Sequence, residues 1–212
     1  MTNLRELLQR GLAQLAIALP PRAIEQLLDY VALLDKWNRA YNLTAVREPA
    51  AMISRHLLDS LAVMPYLRGE RFADVGTGAG IPGIPLAIAN PDKQFVLIDS
   101  NGKKIRFVAQ AIAELQLHNV AAIQCRVESW QPPQRFDVVL SRAFATLADM
   151  AQACAHLLET SGALFALKGV YPQQELSALP ERFKVDACHA LQIPGEPGQR
   201  HLLVIRAAAA NI

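Results

Sequence analysis

The sequence predicts an α/β fold: a mainly parallel sheet covered by helices on both faces, preceded by a helical cap. Three observations predict it. Helical periodicity fills the first third of the chain, and from Phe72 onward strand-like and helix-like segments alternate. The switch falls at FADVGTGAGIPGIP, residues Phe72 to Pro85. This stretch joins the end of an apolar strand, glycines at alternate positions (Gly76, Gly78, Gly80) and a helix start bearing proline, the opening of a nucleotide-binding βαβ unit.

Leu4, Leu7, Leu8, Leu12 and Leu15 recur at helical spacing, with Thr2 or Asn3 as N-cap. Pro20-Pro21 opens a second helix, whose buried face carries Ile24, Leu27, Leu28, Val31 and Leu34. The run Trp37 to Thr44 (WNRAYNLT) loses the period and predicts an ordered loop. A third helix begins near Pro49 and uses Met52, Ile53, Leu57, Leu61 and Met64. Strands are expected at 72–75, 95–99, 121–125, 136–140 and 163–168, and helices at 81–89, 103–117, 147–158 and 173–179. Two further strand-like runs, 183–192 and 201–205, flank IPGEPGQR and read as an antiparallel hairpin closing the sheet. Without a repeat or flexible linker, residues 1–68 form a cap packed directly on a domain of residues 69–212.

Composition bounds the class. A 212-residue chain with 52% hydrophobic and 19% charged residues has the makeup of one well-packed α/β domain with a small appendage. No apolar run reaches the ~18 residues of a membrane span, and the first residues lack a signal pattern. Cys125, Cys154 and Cys188 show no C-x-x-C spacing, which suggests neither a disulfide framework nor a zinc site. Reduced thiols in a cytoplasmic protein are expected. A net charge of +2 neither announces nor excludes a nucleic-acid partner. No coiled-coil or other assembly pattern stands out, which leaves the oligomeric state open, with a monomer favoured.

Gly78, Gly80 and Gly83 also spell the dinucleotide fingerprint G-x-G-x-x-G. Asp74, two positions before Gly76, decides between ligands. A carboxylate beside the loop repels a pyrophosphate and suits a ligand with a cationic head. S-adenosylmethionine, with its sulfonium and ammonium groups, is such a ligand. Asp99, about twenty residues past the loop at a strand end, is placed to accept from both ribose hydroxyls; capping the next helix is the alternative. After the third strand Val127 offers an apolar face to an adenine and Glu128 an acceptor, against the plain reading of a surface acid.

The loop after the fourth strand, Ser141-Arg142-Ala143-Phe144, is expected to face the transferred group. It has neither the Asn/Asp-Pro-Pro-aromatic pattern of amine methylases nor the cysteine of cytosine-C5 methylases. A guanine N7 already holds an available lone pair and needs neither device, so catalysis reduces to alignment. Arg142 holds a phosphate, stacks on a base or orients the cofactor, unless it is a surface ion pair. Arg39, Asn42, Arg55, His56, Lys168, Arg200 and His201 are further polar candidates, each by itself more readily structural or solvated. Helical spacing brings Arg55, His56 and Asp59 within bonding reach of one another. Trp37 reads as core rather than as a stacking platform.

WNRAYNLT, RHLLDSL, DVGTGAGIPGIPLAI, LIDS, GKKIRF, RVE, SRAFA, LKG and RHLLVI occur in that order between Leu33 and Ile205. Together they resemble the ribosomal RNA small-subunit methyltransferase G family, also called glucose-inhibited division protein B. The resemblance implies a Rossmann-like class I S-adenosylmethionine-dependent methyltransferase with a seven-stranded sheet. It implies methylation of N7 of the guanine at position 527 of 16S rRNA, with the rRNA or the small ribosomal subunit as partner and no general base. It places family cofactor positions on Gly76, Ile81, Val127, Glu128 and Arg142, with Asp99 as ribose partner. Ile81 stands where relatives also carry Leu or Phe, a conservative departure. Arg142, Lys168, Arg200 and His201 then become candidates for an RNA rim, with Arg39 and His56 beside them.

Overall fold

The structure, a computed structural model, describes residues 3–142, 144 and 146–208. Seven strands form one sheet: β1 (Arg71–Val75), β2 (Gln94–Asp99), β3 (Val120–Gln124), β4 (Phe136–Ser141), β5 (Leu158–Lys168), β6 (Phe183–Leu191) and β7 (Arg200–Ala207). Their order is β3-β2-β1-β4-β5-β7-β6. The first five strands pair in parallel, whereas β7 runs antiparallel to both β5 and β6. That inserted antiparallel strand separates this sheet from the dinucleotide-binding order 3-2-1-4-5-6.

Strand parity sorts the core into two layers. Phe72, Leu97, Leu140 and Phe165 belong to one apolar cluster, and Val75, Ile98, Val139 and Leu164 to the other. The second is covered by α7 (Leu147–Cys154). The first lies under α5 (Gly83–Ala89) and α6 (Gly102–Glu114) and runs without interruption into the N-terminal helices. Those are α1 (Leu4–Gln14), α2 (Pro21–Tyr41), α3 (Pro49–Met52) and α4 (Asp59–Leu61), the last two joined by a π-helical segment, Ile53–Leu58. A short α8 (Gln173–Ser177) precedes β6.

The local chemistry explains most boundaries. Asn3 caps α1, its side chain accepting from the amides of Arg5 and Glu6; Thr2 lies outside the described residues. Helix α2 continues through the stretch expected as a loop and stops at Asn42, which adopts a left-handed conformation at φ 49°. The cause is Asn38, buried in its last turns. Its side chain donates to the Val46 carbonyl at 3.1 Å and accepts from the Thr44 amide at 2.9 Å, folding the following loop back onto the helix. Trp37 packs against the core beside Tyr41 and Phe107, as expected of a core residue. The helix expected from Ile81 begins at Gly83. Residues 77–81 form a turn first, with the Gly80 and Ile81 amides bonding to the Thr77 carbonyl. Helix α7 ends at Cys154 rather than Leu158, because β5 already starts at Leu158 to pair with Phe136.

The expected Arg55–His56–Asp59 cluster does not form. The wider turn of the π-helical segment alters the phase between these residues. Arg55 Nε instead meets Glu196 at 3.2 Å, and Asp59 turns to two other arginines.

One bond ties cap to sheet at the glycine loop. Tyr30 of α2 is fully buried and donates its hydroxyl to the Ala79 carbonyl at 2.6 Å. Replacing Tyr30 by Phe leaves that carbonyl unsatisfied, and the expected loss of stability is about 1–3 kcal/mol, read from urea denaturation midpoints.

Candidate active site

The glycine loop leaves β1 with Gly76, Gly78 and Gly80 at φ 69°, 61° and 86°, a region that side-chain-bearing residues rarely occupy. Beneath it lies Asp74. Parity puts this carboxylate on the same face as Phe72, under the helical cap, and only 1% of it is exposed. Its Oδ2 accepts from the Thr77 hydroxyl at 2.6 Å and from the Gly83 amide at 2.9 Å, joining both ends of the loop. Its Oδ1 is buried with no partner among the described residues. Burial pushes the carboxyl up to about 6, against the bonds from Thr77 and Gly83 and the charge of Arg142. Asp74 therefore remains ionised at neutral pH and holds one oxygen in reserve.

Asp99, at the end of β2, faces the loop. Its Oδ2 accepts from the Gly78 amide at 3.0 Å and its Oδ1 from the Asn101 amide at 2.8 Å, with Lys104 Nζ 3.6 Å from Oδ2. The cap of α6 is Asn101, which removes helix capping as an account of Asp99. Gly76, Asp99, Val127 and Glu128 line one cleft of about 290 Å³, together with Lys104 and Phe144. Val127 and Glu128 sit on a 3₁₀ turn, Val127–Ser129, directly after β3. Ile81 is 7% exposed and belongs to the apolar core, outside the set of residues lining the cleft.

A second cavity, of about 450 Å³, lies beyond the end of β4, and Lys168 of its lining donates to the carbonyl of Phe144, which lines the first, at 3.4 Å. Arg142 and Phe144 belong to the same loop, yet Arg142 lines this cavity and Phe144 the first. Ala143 lies outside the described residues. Arg55, His56, Lys168, Arg200 and His201 also line the second cavity, so four of the five candidate RNA residues come together with Arg142. Arg39 does not join them; it pairs with Asp35 along α2 at 2.7 Å. Lys168 Nζ is 2.8 Å from Glu175. His56 is buried, its Nε2 2.9 Å from the Thr44 hydroxyl and its Nδ1 without a partner among the described residues. Burial pushes this imidazole down to about 4, leaving it neutral at pH 7.

Sequence reasoning gave Asp59 the wrong partners and no place in the site. This buried carboxylate receives Arg142 Nη1 on Oδ2 at 2.7 Å and Arg200 Nε on Oδ1 at 3.0 Å. An acid inside the apolar run LLDSL was the available signal, but its partners lie 83 and 141 residues away.

The GidB family, described as rRNA small subunit methyltransferase G, matches residues 23–203. The chain belongs to this family. Proteins named ribosomal RNA small subunit methyltransferase G from Idiomarina loihiensis and Aeromonas salmonicida are 54% and 56% identical to it. They cover 95% and 91% of this chain, which spans 98% and 92% of theirs. Among solved structures, M. jannaschii TYW2 in complex with AdoMet aligns with TM-score 0.55 at 18% identity, over 73% of this chain and 78% of that one. A ribosomal protein L11 methylase from Lactobacillus delbrueckii aligns with TM-score 0.53 at 19% identity, over 71% and 76%. These likenesses establish the class I methyltransferase fold around the site.

Asp74 generates a test by pH. Its carboxyl moves from an ordinary value of 3.8 to about 6 on folding, so the native state retains a proton that the unfolded chain has already released. Stability attributable to this group is therefore greatest below about pH 4 and falls by on the order of 2–3 kcal/mol as pH rises past 6. Asp74→Asn is expected to remove that decline, read as the difference between wild-type and variant urea midpoints at pH 4.5 and 7.

Proposed function

We propose that this member of the methyltransferase G family transfers a methyl group from S-adenosylmethionine to N7 of a guanine in 16S rRNA. By family resemblance the target is position 527. The observation that carries the reading is the pair of adjoining cavities sharing the loop at the end of β4. A bound donor in the first faces a nucleotide in the second across Arg142 and Phe144.

The first cavity fits the cofactor. Gly76 and Gly78 let a ligand approach the backbone without a Cβ in the way, whereas Gly80 lets the loop pack against the Ile84 side chain. Asp74 contributes a buried negative charge below a cationic head, with Oδ1 lacking a donor. Asp99 serves the ribose, Val127 and Glu128 the adenine, and Ile81 supports the loop from the core side. When bound, S-adenosylmethionine supplies an electrophilic methyl carbon on a sulfonium. The protein's part is to align the nucleophile with that carbon and exclude water. No proton has to leave N7 before attack, so no side chain is assigned as general base. Cys125 lines the donor cleft, but burial and then Glu128 push its thiol up, so it keeps its proton and is a poor nucleophile.

Lys168, Arg200, His201 and Arg142 form the proposed RNA surface, with the buried His56 beneath them. Arg39 reaches only RNA extending beyond this cavity. In this reading residues 1–68 cap a catalytic domain of residues 69–212, and the protein works as a cytoplasmic monomer. Among the described residues no helix is long and apolar enough to cross a membrane.

The deciding experiment incubates labelled S-adenosylmethionine with small subunits lacking the modification, and with naked 16S rRNA, then maps the product by cleavage selective for N7-methylguanine. A single cut at the 527 loop is expected; incorporation at any other atom or site overturns the reading. Replacing Arg142 by Ala is expected to lower turnover at saturating cofactor by about ten- to a hundredfold, with a smaller change in S-adenosylhomocysteine affinity by calorimetry. An unchanged rate removes Arg142 from the machinery.

A further inference from the structure

Asp59 joins three parts of the chain that are distant in sequence. It stands in α4 directly after the π-helical segment, Arg142 follows β4, and Arg200 opens β7. The carboxylate is 6% exposed, and each of its oxygens takes one arginine, at 2.7 and 3.0 Å. Burial pushes its carboxyl up, while the charges of Arg142 and Arg200 and their hydrogen bonds pull it back.

The charge balance of the cavity centres on this trio. Of the other cations lining it, Arg55 is matched by Glu196 and Lys168 by Glu175. Asp59 serves two guanidiniums with one negative charge, so among these pairs the excess positive charge sits on Arg142 and Arg200. A guanidinium carries five N–H donors in a planar fork suited to phosphate oxygens. Asp59 engages one donor on each arginine, and Arg200 spends another on the Gln199 carbonyl. Both side chains are 30% exposed, buried enough to be held and open enough to be reached.

A buried acid between two arginines contributes little to stability compared with apolar packing, because desolvation offsets the attraction. It does fix direction. Two long side chains that would otherwise lose rotamer freedom on binding are already ordered, which lowers the cost of association.

We propose that Asp59 is a positioning residue, setting Arg142 and Arg200 side by side as a preformed receptor for a phosphodiester of the RNA strand next to the target base. This rests on the RNA-methylating function proposed above. Asp59 itself touches neither cofactor nor RNA; its effect passes through the two arginines.

The test is steady-state methylation of small ribosomal subunits by Asp59→Asn, which keeps the shape and removes the charge. The KM for the subunit is expected to rise about tenfold, while S-adenosylhomocysteine affinity by calorimetry changes less than about twofold and the salt dependence of binding becomes shallower. Arg200→Lys is the companion variant, at a partly exposed site that tolerates substitution. It retains the charge but not the planar fork, and is expected to raise the subunit KM as well. Combining the two variants is expected to add little beyond either alone, since both break one device. A folded Asp59→Asn protein with an unchanged subunit KM overturns the proposal, as does an equal loss of cofactor affinity. Should Asp59→Asn fail to fold, an unchanged subunit KM in Arg200→Lys overturns it alone. Wild-type protein that methylates no ribosomal RNA overturns the function itself, and is distinguished by being read before any variant.

Discussion

The site depends on a carboxylate placed where water cannot reach it. Asp74 is held under the glycine loop by strand parity, and one oxygen gathers Thr77 and Gly83 while the other stays unpartnered. Burying a charge is unfavourable, and its raised pKa records that cost. The loop it shapes is also held by Tyr30 of the helical cap, whose hydroxyl reaches the Ala79 carbonyl. The helical cap is thereby part of the loop's support, sharing one continuous apolar core with α5, α6 and the sheet.

A second buried acid repeats this solution in the adjoining cavity. Asp59 lies in the cap and orders arginines from β4 and β7, much as Asp74 orders the loop between β1 and α5. The π-helical segment makes this possible: it turns Asp59 away from Arg55 and towards the carboxyl ends of the strands. Asp74 lies beneath the glycine loop and Asp59 lines the second cavity, while the loop after β4 gives Phe144 to the first cavity and Arg142 to the second.

Much of this was legible in order along the chain. Glycine spacing, a proline-bearing helix start and alternating apolar runs each report local backbone needs, and all strands were recovered to within a few residues, apart from the early start of β5 at Leu158. Local reasoning misjudged places where a distant partner intervenes. Residues 37–41 resemble a loop by composition, yet stay helical because Asn38 satisfies Thr44 and Val46. Ile81 resembles a helical residue, yet belongs to the turn closed on Thr77.

The sequence by itself determined the fold class, the glycine loop and the candidate acids, because each rests on residue type at short spacing. Only the tertiary structure decided what each acid does. Whether Asp74 lies in the cleft or beneath it depends on which sheet face the cap covers. Whether Asp99 caps a helix or faces the loop depends on Asn101 taking the capping role. That Asp59 pairs with Arg142 and Arg200 depends on strands meeting across more than eighty residues of chain. Short-range spacing specifies backbone geometry, whereas charge pairing is set by proximity in space, which no local pattern encodes.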